Sequence, residues 1–477
     1  MKWAIQEDIK EKKMPNFKKL AKNYEKPALE TLKGLVAKKS VYDASSVSED
    51  APYGTGVKSA LDYLAKLGKD NGFKVDTCDG RVTEISIGNG QGPVIGIYAH
   101  ADVVPATGKW STKDPFKAEL VGEGKEAKLI ARGTSDDKGP LVAAFYAAKL
   151  LSDAGLVKNY SIRFCAGGDE ERGSSCLDYY FHTLKKTPTD YGFTPDADFP
   201  LIYAEKGMVS GCRLVKKVDL TPIIAMDGGV VSNAVCDRFL VTLPHDEGFE
   251  KAFEEKAIKG EITRMGPVTL VVFSGTTSHG STPEKGVNAA LKAFEFIGSY
   301  YKNEFLTNLA KVLADCNGRG FEGFSSSPEL GLSTFNYGVI HYDGHEKLLT
   351  LSVDYRYGEK ADPKLALENL EKHSGMKVEC KGLVSPLLYA KDSPLVKTLM
   401  KSYKRTTFKL FDKPMAIGGG TYAKEAPNCV AYGSAFKGHP GDIHSPNEYI
   451  YLDDFFRQIY IYADAIASLG ALPKQGK

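Results

Sequence analysis

The sequence predicts an α/β protein whose central, mostly parallel sheet is flanked by helices, with an α+β domain inserted into it. Three observations carry this reading. Short apolar runs at 93–98 and 160–165 end abruptly in polar clusters and alternate with stretches of helical spacing, the pattern of buried strands in α/β units. From about 207 to 377 the texture changes to strands that alternate apolar and polar residues, as in a sheet with one wet face. After that, helix and buried strand return. Residues 1–206 and 378–477 therefore read as one domain in two parts and 207–377 as the insertion, in keeping with a 477-residue chain too long for one ordinary core.

Apolar spacing near the N-terminus predicts helices over 27–39 and 57–72, joined by a polar loop rich in Ser, Glu and Asp. The 93–98 run leads into His100, and a helix over 141–154 separates it from the 160–165 run, which leads into GGDEE at 167–171. Polar residues at strand ends are where such sheets place ligands. In the insertion, strands are expected at 238–243, 268–273 and 348–355 and helices at 249–258 and 288–301. The last part should hold a helix over 395–406, the glycine-rich turn GGGT at 418–421, and an amphipathic helix over 452–469.

Lys+Arg 62 against Asp+Glu 60 leaves the chain near neutrality, which predicts neither a nucleic-acid nor a membrane partner and favours work on small molecules. No apolar run is long enough to span a bilayer, and the opening MKWAIQEDIKEKK alternates charge instead of building a signal-peptide core, so a cytoplasmic location is expected. The 8 cysteines follow no CxxC or regular spacing and read as reduced packing residues.

Five polar clusters follow apolar runs: His100-Ala-Asp102, Asp136-Asp137-Lys-Gly, Asp169-Glu170-Glu171, Asp196-Ala-Asp198, and His444. Singly each has a bland explanation. A lone strand-end histidine is more often structural, and adjacent glutamates suit the start of a solvated helix. Jointly they fit a metal site, because zinc accepts His nitrogen and carboxylate oxygen and a catalytic site keeps one position open. Asp102 could then fix the tautomer of His100. Of the two glutamates, Glu171 would hold metal while Glu170 took a proton from a metal-activated water and passed it to the leaving amine.

IGIYAHADVVPATGKWSTKDPF, ARGTSDDKGP, AGGDEERGSS, TPDADFPLIYAEKG, SHGSTPEKGVNA, IGGGT and GDIHSPNE occur in this order along nearly the whole chain. Together they resemble the bacterial PepV-type dipeptidases, members of the aminoacylase and carboxypeptidase family of two-zinc metallopeptidases. That resemblance implies His100 and Asp196 on one zinc, Glu171 and His444 on the other, and Asp136 bridging them, with manganese or cobalt as alternative ions. It favours Asp196 over Asp198, makes Asp102 the support of His100 and Glu170 the general base, and implies a cis peptide between Asp136 and Asp137. His279 would stabilise the oxyanion, and Asn233 and Arg356 would grip the substrate's backbone and C-terminal carboxylate, an anion that a planar Arg fork suits. The exposed backbone of Gly419, Gly420 and Thr421 would help bind that anion.

The substrates implied are dipeptides, including the β-Ala-His type. The GTSDDKGP and PDADFP segments favour this over an amidohydrolase that removes an acyl group from an amino acid, the alternative with the same water and base. A catalytically inactive peptide-binding relative would lack a ligand or the base, and none is missing here. The long insertion, which in PepV-type proteins substitutes for a partner subunit, leads us to expect a monomer, with a dimer as the alternative.

Overall fold

The computed structural model describes residues 15–475, so the expectation placed on the opening residues MKWAIQEDIKEKK lies outside the described part. The chain divides into two compact units: Met1–Ile202, Ala390–Pro414 and Thr421–Lys477 form the first, Tyr203–Tyr389 and Met415–Gly420 the second. The sequence reading has two boundaries; the fold has four, because the Met415–Ile417 strand pairs with Ile202–Glu205.

In the first unit the strands run in the order Lys74–Asp76, Val82–Ile87, Ser161–Gly167, Val94–His100, Tyr191–Thr194, Cys429–Ala431. The pairings of Val94–His100 with both neighbours, and of Tyr191–Thr194 with Cys429–Ala431, are parallel. Towards the edge of Lys74–Asp76 they are antiparallel. The sheet is parallel through its middle, as expected of a mostly parallel sheet, and antiparallel at this edge: the middle strands return through helices, whereas the edge returns through the short Cys78–Arg81 turn.

The middle strands show no alternation because both faces are covered; every residue of Val94–His100 after Val94 is buried. Lys138–Asp153 is buried almost all round and packs against Leu452–Leu469 on one side of the sheet. Thr55–Asp70 lays its Val57, Leu61 and Leu64 stripe against Val82–Ile87. Each such side chain contributes about 1.5–3 kcal/mol on burial.

The second unit carries an antiparallel sheet in the order Gly260–Met265, Val268–Ser274, Arg238–Pro244, Ala225–Gly228, Ile340–Asp343, Leu348–Tyr357, Cys212–Lys217, Lys377–Glu379. Val268–Ser274 and Arg238–Pro244 alternate buried and half-buried or exposed residues, as one-sided strands should. Their inner face packs with Phe294, Phe296 and Ile297 of the Ala289–Tyr300 helix. The helices Glu304–Leu313 and Pro363–Ser374 add elements that the sequence reading did not assign.

One cysteine expectation fails: Cys212 and Cys380 form a disulfide. The antiparallel register of Arg213 with Glu379 brings together two strands 168 residues apart, a proximity that spacing along the chain does not show. The other six are not disulfide-bonded, and five of them are buried. Among the described residues no helix is long and apolar enough to cross a membrane.

Candidate metal centre

Three adjacent parallel strands deliver most of the site. His100 ends Val94–His100 and sits in register with Gly167, the end of Ser161–Gly167, while Tyr191–Thr194 pairs on the other side. Their C-terminal ends open on one edge, so Glu170, Glu171 and Asp196, just beyond the second and third strands, meet His100 there. Asp136 arrives on the loop before Lys138–Asp153, and His444 on the loop before Tyr449–Tyr451.

The Asp136 carboxylate lies between the two histidines. Its Oδ1 is 2.9 Å from His100 Nε2 and its Oδ2 is 3.0 Å from His444 Nε2. His100 Nε2 is 3.6 Å from Asp196 Oδ2, and His444 Nε2 is 3.1 Å from Glu171 Oε2. Donor atoms of His100, Glu170 and Asp196 all lie within 4.8 Å of one another, as do those of His100, Asp136 and Glu171. Asp198 is exposed and outside both groups.

Asp102 is placed differently from the simplest reading of His-x-Asp. His100 Nδ1 is 3.0 Å from the backbone carbonyl of Asp102 and 3.5 Å from its carboxylate. A carbonyl only accepts, so Nδ1 carries the proton and Nε2 is the nitrogen turned to the site. The Asp102 carboxylate instead accepts from the backbone N–H of Glu170 at 3.1 Å and of Glu171 at 3.2 Å, which fixes the turn carrying both glutamates.

The electrostatics are those of crowded anions, Asp136 buried and Glu170, Glu171 and Asp196 half-buried. Burial and the Asp136 charge push Asp196 up to about 7, and burial likewise raises Glu170 and Glu171. Burial works to raise Asp136 as well, but its bonds to His100 and His444 bring it below the usual carboxylate range. His444 is pushed up to about 11 by its bonds to Asp136 and Glu171. Four carboxylates converging with two imidazole nitrogens are a nitrogen and oxygen donor set that suits zinc-like divalent cations, which would relieve the mutual repulsion. The residues present fit such ions.

The expected substrate residues belong to the second unit, apart from Thr421. Asn233 and His279 are exposed on paired stretches: Gly280 N–H donates to the Asn233 carbonyl at 2.7 Å, and Ala234 bridges to His279. His279 Nδ1 is 2.7 Å from Ser281 Oγ. Arg356 is buried, with Nε and Nη2 each 3.0 Å from the Asp354 carboxylate and Nη1 donating to the Gly418 carbonyl at 2.7 Å. The fork expected to clasp a ligand carboxylate therefore faces a protein carboxylate. A Cβ on Gly418 would come 2.7 Å from the Ser281 Cβ, a close approach that glycine permits. Gly419 and Gly420 follow it, and Thr421 Oγ1 accepts from Ala423 N–H at 3.1 Å, capping the 422–424 turn.

Several residues around this centre had no role assigned from the sequence. Asp137, joined to Asp136 by a cis peptide as the resemblance implies, is fully buried and accepts from the His100 N–H at 3.1 Å. Lys138, also fully buried, donates to the carbonyls of Leu35 at 3.2 Å and Lys38 at 2.8 Å, and burial pulls it down to about 7. Tyr422 sets its ring edge-on to His100, centroids 6.1 Å apart. The Arg132–Glu448 ion pair is buried beside the Asp136 loop. The available signal was the density of charge in ARGTSDDKGP, a segment otherwise flanked by apolar residues.

Residues 96–468 match the model of Peptidase family M20/M25/M40. The chain is 33% identical over 478 residues to a Staphylococcus aureus (strain MRSA252) protein named "Putative dipeptidase", covering 95% of this chain and 99% of that one. A Staphylococcus epidermidis protein of the same name is 32% identical over the same shares. Among solved structures, a metallo-carboxypeptidase from Sulfolobus solfataricus has the same fold at a TM-score of 0.57 and 19% identity, covering 93% of this chain and 99% of that one. Human carnosine dipeptidase 1 does so at 0.56 and 15%, covering 96% and 98%. The match across most of the chain, with the metal-type donor set at its strand ends, shows that the chain belongs to Peptidase family M20/M25/M40 and is a metallopeptidase.

Proposed function

We propose that the chain is a dipeptidase holding two zinc ions, with manganese or cobalt able to replace them. The observation that carries this is the Asp136 carboxylate, one oxygen toward His100 and the other toward His444, with Asp196 and Glu171 completing a pair of ligand sets. When bound, the ions supply Lewis-acid polarisation of the scissile carbonyl and lower the pKa of water to about 7.

The chain's residues divide the remaining work. Glu170, whose carboxylate lies with His100 and Asp196, takes a proton from the attacking water and delivers it to the nitrogen of the leaving amine. Asp102 keeps that turn in place through the Glu170 and Glu171 N–H groups. His279 is assigned the stabilisation of the oxyanion, and Asn233, Arg356, Gly419, Gly420 and Thr421 the recognition of substrate backbone and carboxylate. For Arg356 this would proceed from Nη protons beyond its bonds to Asp354 and Gly418. The names of the staphylococcal relatives support a dipeptide substrate over an acylated amino acid.

Incubating the full chain, supplied with zinc or manganese, with Leu-Leu, β-Ala-His and N-acetyl-Met tests the assignment. Hydrolysis of a dipeptide is expected. Consumption of N-acetyl-Met alone would replace the dipeptidase reading with a deacylase.

A further inference from the structure

Glu448 lies four residues beyond His444 and is fully buried. Its Oε1 accepts from the backbone N–H groups of Gly133 at 3.0 Å, Ser135 at 2.9 Å and Asp136 at 3.1 Å. Its Oε2 accepts from Arg132 Nη1 at 2.7 Å. The backbone joins in: Ala131 N–H donates to the Glu448 carbonyl at 3.0 Å, and Ser135 Oγ donates to the Tyr449 carbonyl at 2.6 Å.

Three N–H groups converging on one oxygen form a cradle for an anion. A carboxylate placed there without a cation would be an uncompensated buried charge, and Arg132, itself 1% exposed and set against the Trp110 ring, supplies the compensation. The last of those N–H groups belongs to Asp136, whose side chain lies between the two histidines. Glu448 touches the backbone of one candidate ligand and is carried on the same loop as another, across 312 positions of sequence.

We propose that Glu448, with Arg132 as its counter-ion, is a positioning residue that aims the Asp136 carboxylate and thereby sets the metal affinity of the centre. This rests on the two-ion reading above. Glu448 makes no contact with substrate in this role. Its removal acts on metal binding first and on turnover through it.

The test uses the full chain stripped of metal by chelator, as wild type, Glu448→Gln, Arg132→Lys and a control, Asp464→Asn. Asp464 is a buried carboxylate of the same unit bonded to Ser402 and Arg405, so its variant reports the effect of disturbing a buried ionic network as such. Zinc titration by calorimetry and melting in chelator are recorded for each. The expected result is metal binding weakened about 10–100-fold in Glu448→Gln, as for loss of other groups that orient metal ligands. Arg132→Lys, which keeps charge but loses the fork, should give a smaller loss, and Asp464→Asn should bind like wild type even if its melting temperature falls as far.

Wild-type affinity in a folded Glu448→Gln, or an equal loss in Asp464→Asn, would overturn the proposal. If Glu448→Gln does not fold, Arg132→Lys carries the comparison, and wild-type affinity there overturns it. Hydrogen exchange on metal-free wild type must also show the 133, 135 and 136 amides protected; free exchange would mean the cradle does not form. A wild type that takes up no metal would remove the underlying two-ion reading, and the proposal with it, whereas protected amides in that case would show the cradle itself intact.

Discussion

Glu170, the proposed general base, is held by its backbone: Asp102 accepts its N–H, while burial and the Asp196 charge raise its affinity for a proton. A raised pKa suits a group that must accept a proton near neutrality and release it again. Glu170→Gln keeps shape and removes that capacity; we expect kcat to fall by about 10²–10⁴-fold with metal content unchanged, measured by steady-state kinetics beside metal analysis. Normal turnover would take Glu170 out of the reaction. His279→Ala should lower kcat by about 10²–10³-fold, again without loss of metal, if it serves the oxyanion. At this scale the candidate ligands were legible because each follows an apolar run that ends at a strand or loop. Arg132, Asp137 and Glu448 were not, since what makes them matter is bonding to residues 37 to 316 positions away. The sequence marks Arg356 only as a candidate carboxylate ligand; its pairing with Asp354, two residues along the same strand, emerges from the fold.

The elements converge on the site by register. His100 opposite Gly167 is a consequence of parallel pairing, and a one-residue slip would turn the strand's buried side chains to the opposite face. The Asp136 loop is closed equally tightly, for a Cβ on Gly139 would lie 2.1 Å from the Thr134 carbonyl oxygen. Gly139→Ala is therefore expected to destabilise the protein by about 1–3 kcal/mol in denaturant melts, the usual cost of overpacking; unchanged stability would mean the loop is looser than described. On the Val82–Ile87 strand, burial disfavours the Glu84 charge, but Tyr180 and Lys186 bring its carboxyl below the ordinary range. A depressed carboxylate adds stability that is present above its unfolded value, about 4.3, and lost as pH falls through the folded one. The difference in urea midpoint between wild type and Glu84→Gln should be largest near neutrality and close in acid; a pH-independent gap would contradict it. The buried middle strands and long helices were readable from periodicity. The antiparallel edge was not, because Lys74–Asp76 is too short to declare itself.

For the molecule as a whole, the insertion was visible as a change from unbroken apolar runs to alternating strands, since one-sided and two-sided burial leave different patterns. The return of Met415–Gly420 to the second unit left no such trace, being six residues within a stretch that otherwise belongs to the first. Both units have a substantial core, yet the ligands of the proposed centre all come from the first, gathered from positions 100 to 444. The claim on which the function stands is that these residues hold two ions bridged by one carboxylate. Anomalous X-ray diffraction from zinc-soaked crystals of the full chain tests it most directly. Two zinc peaks are expected, one against His100 and Asp196, the other against Glu171 and His444, with Asp136 touching both; a single peak, or none among these side chains, would refute the two-ion centre.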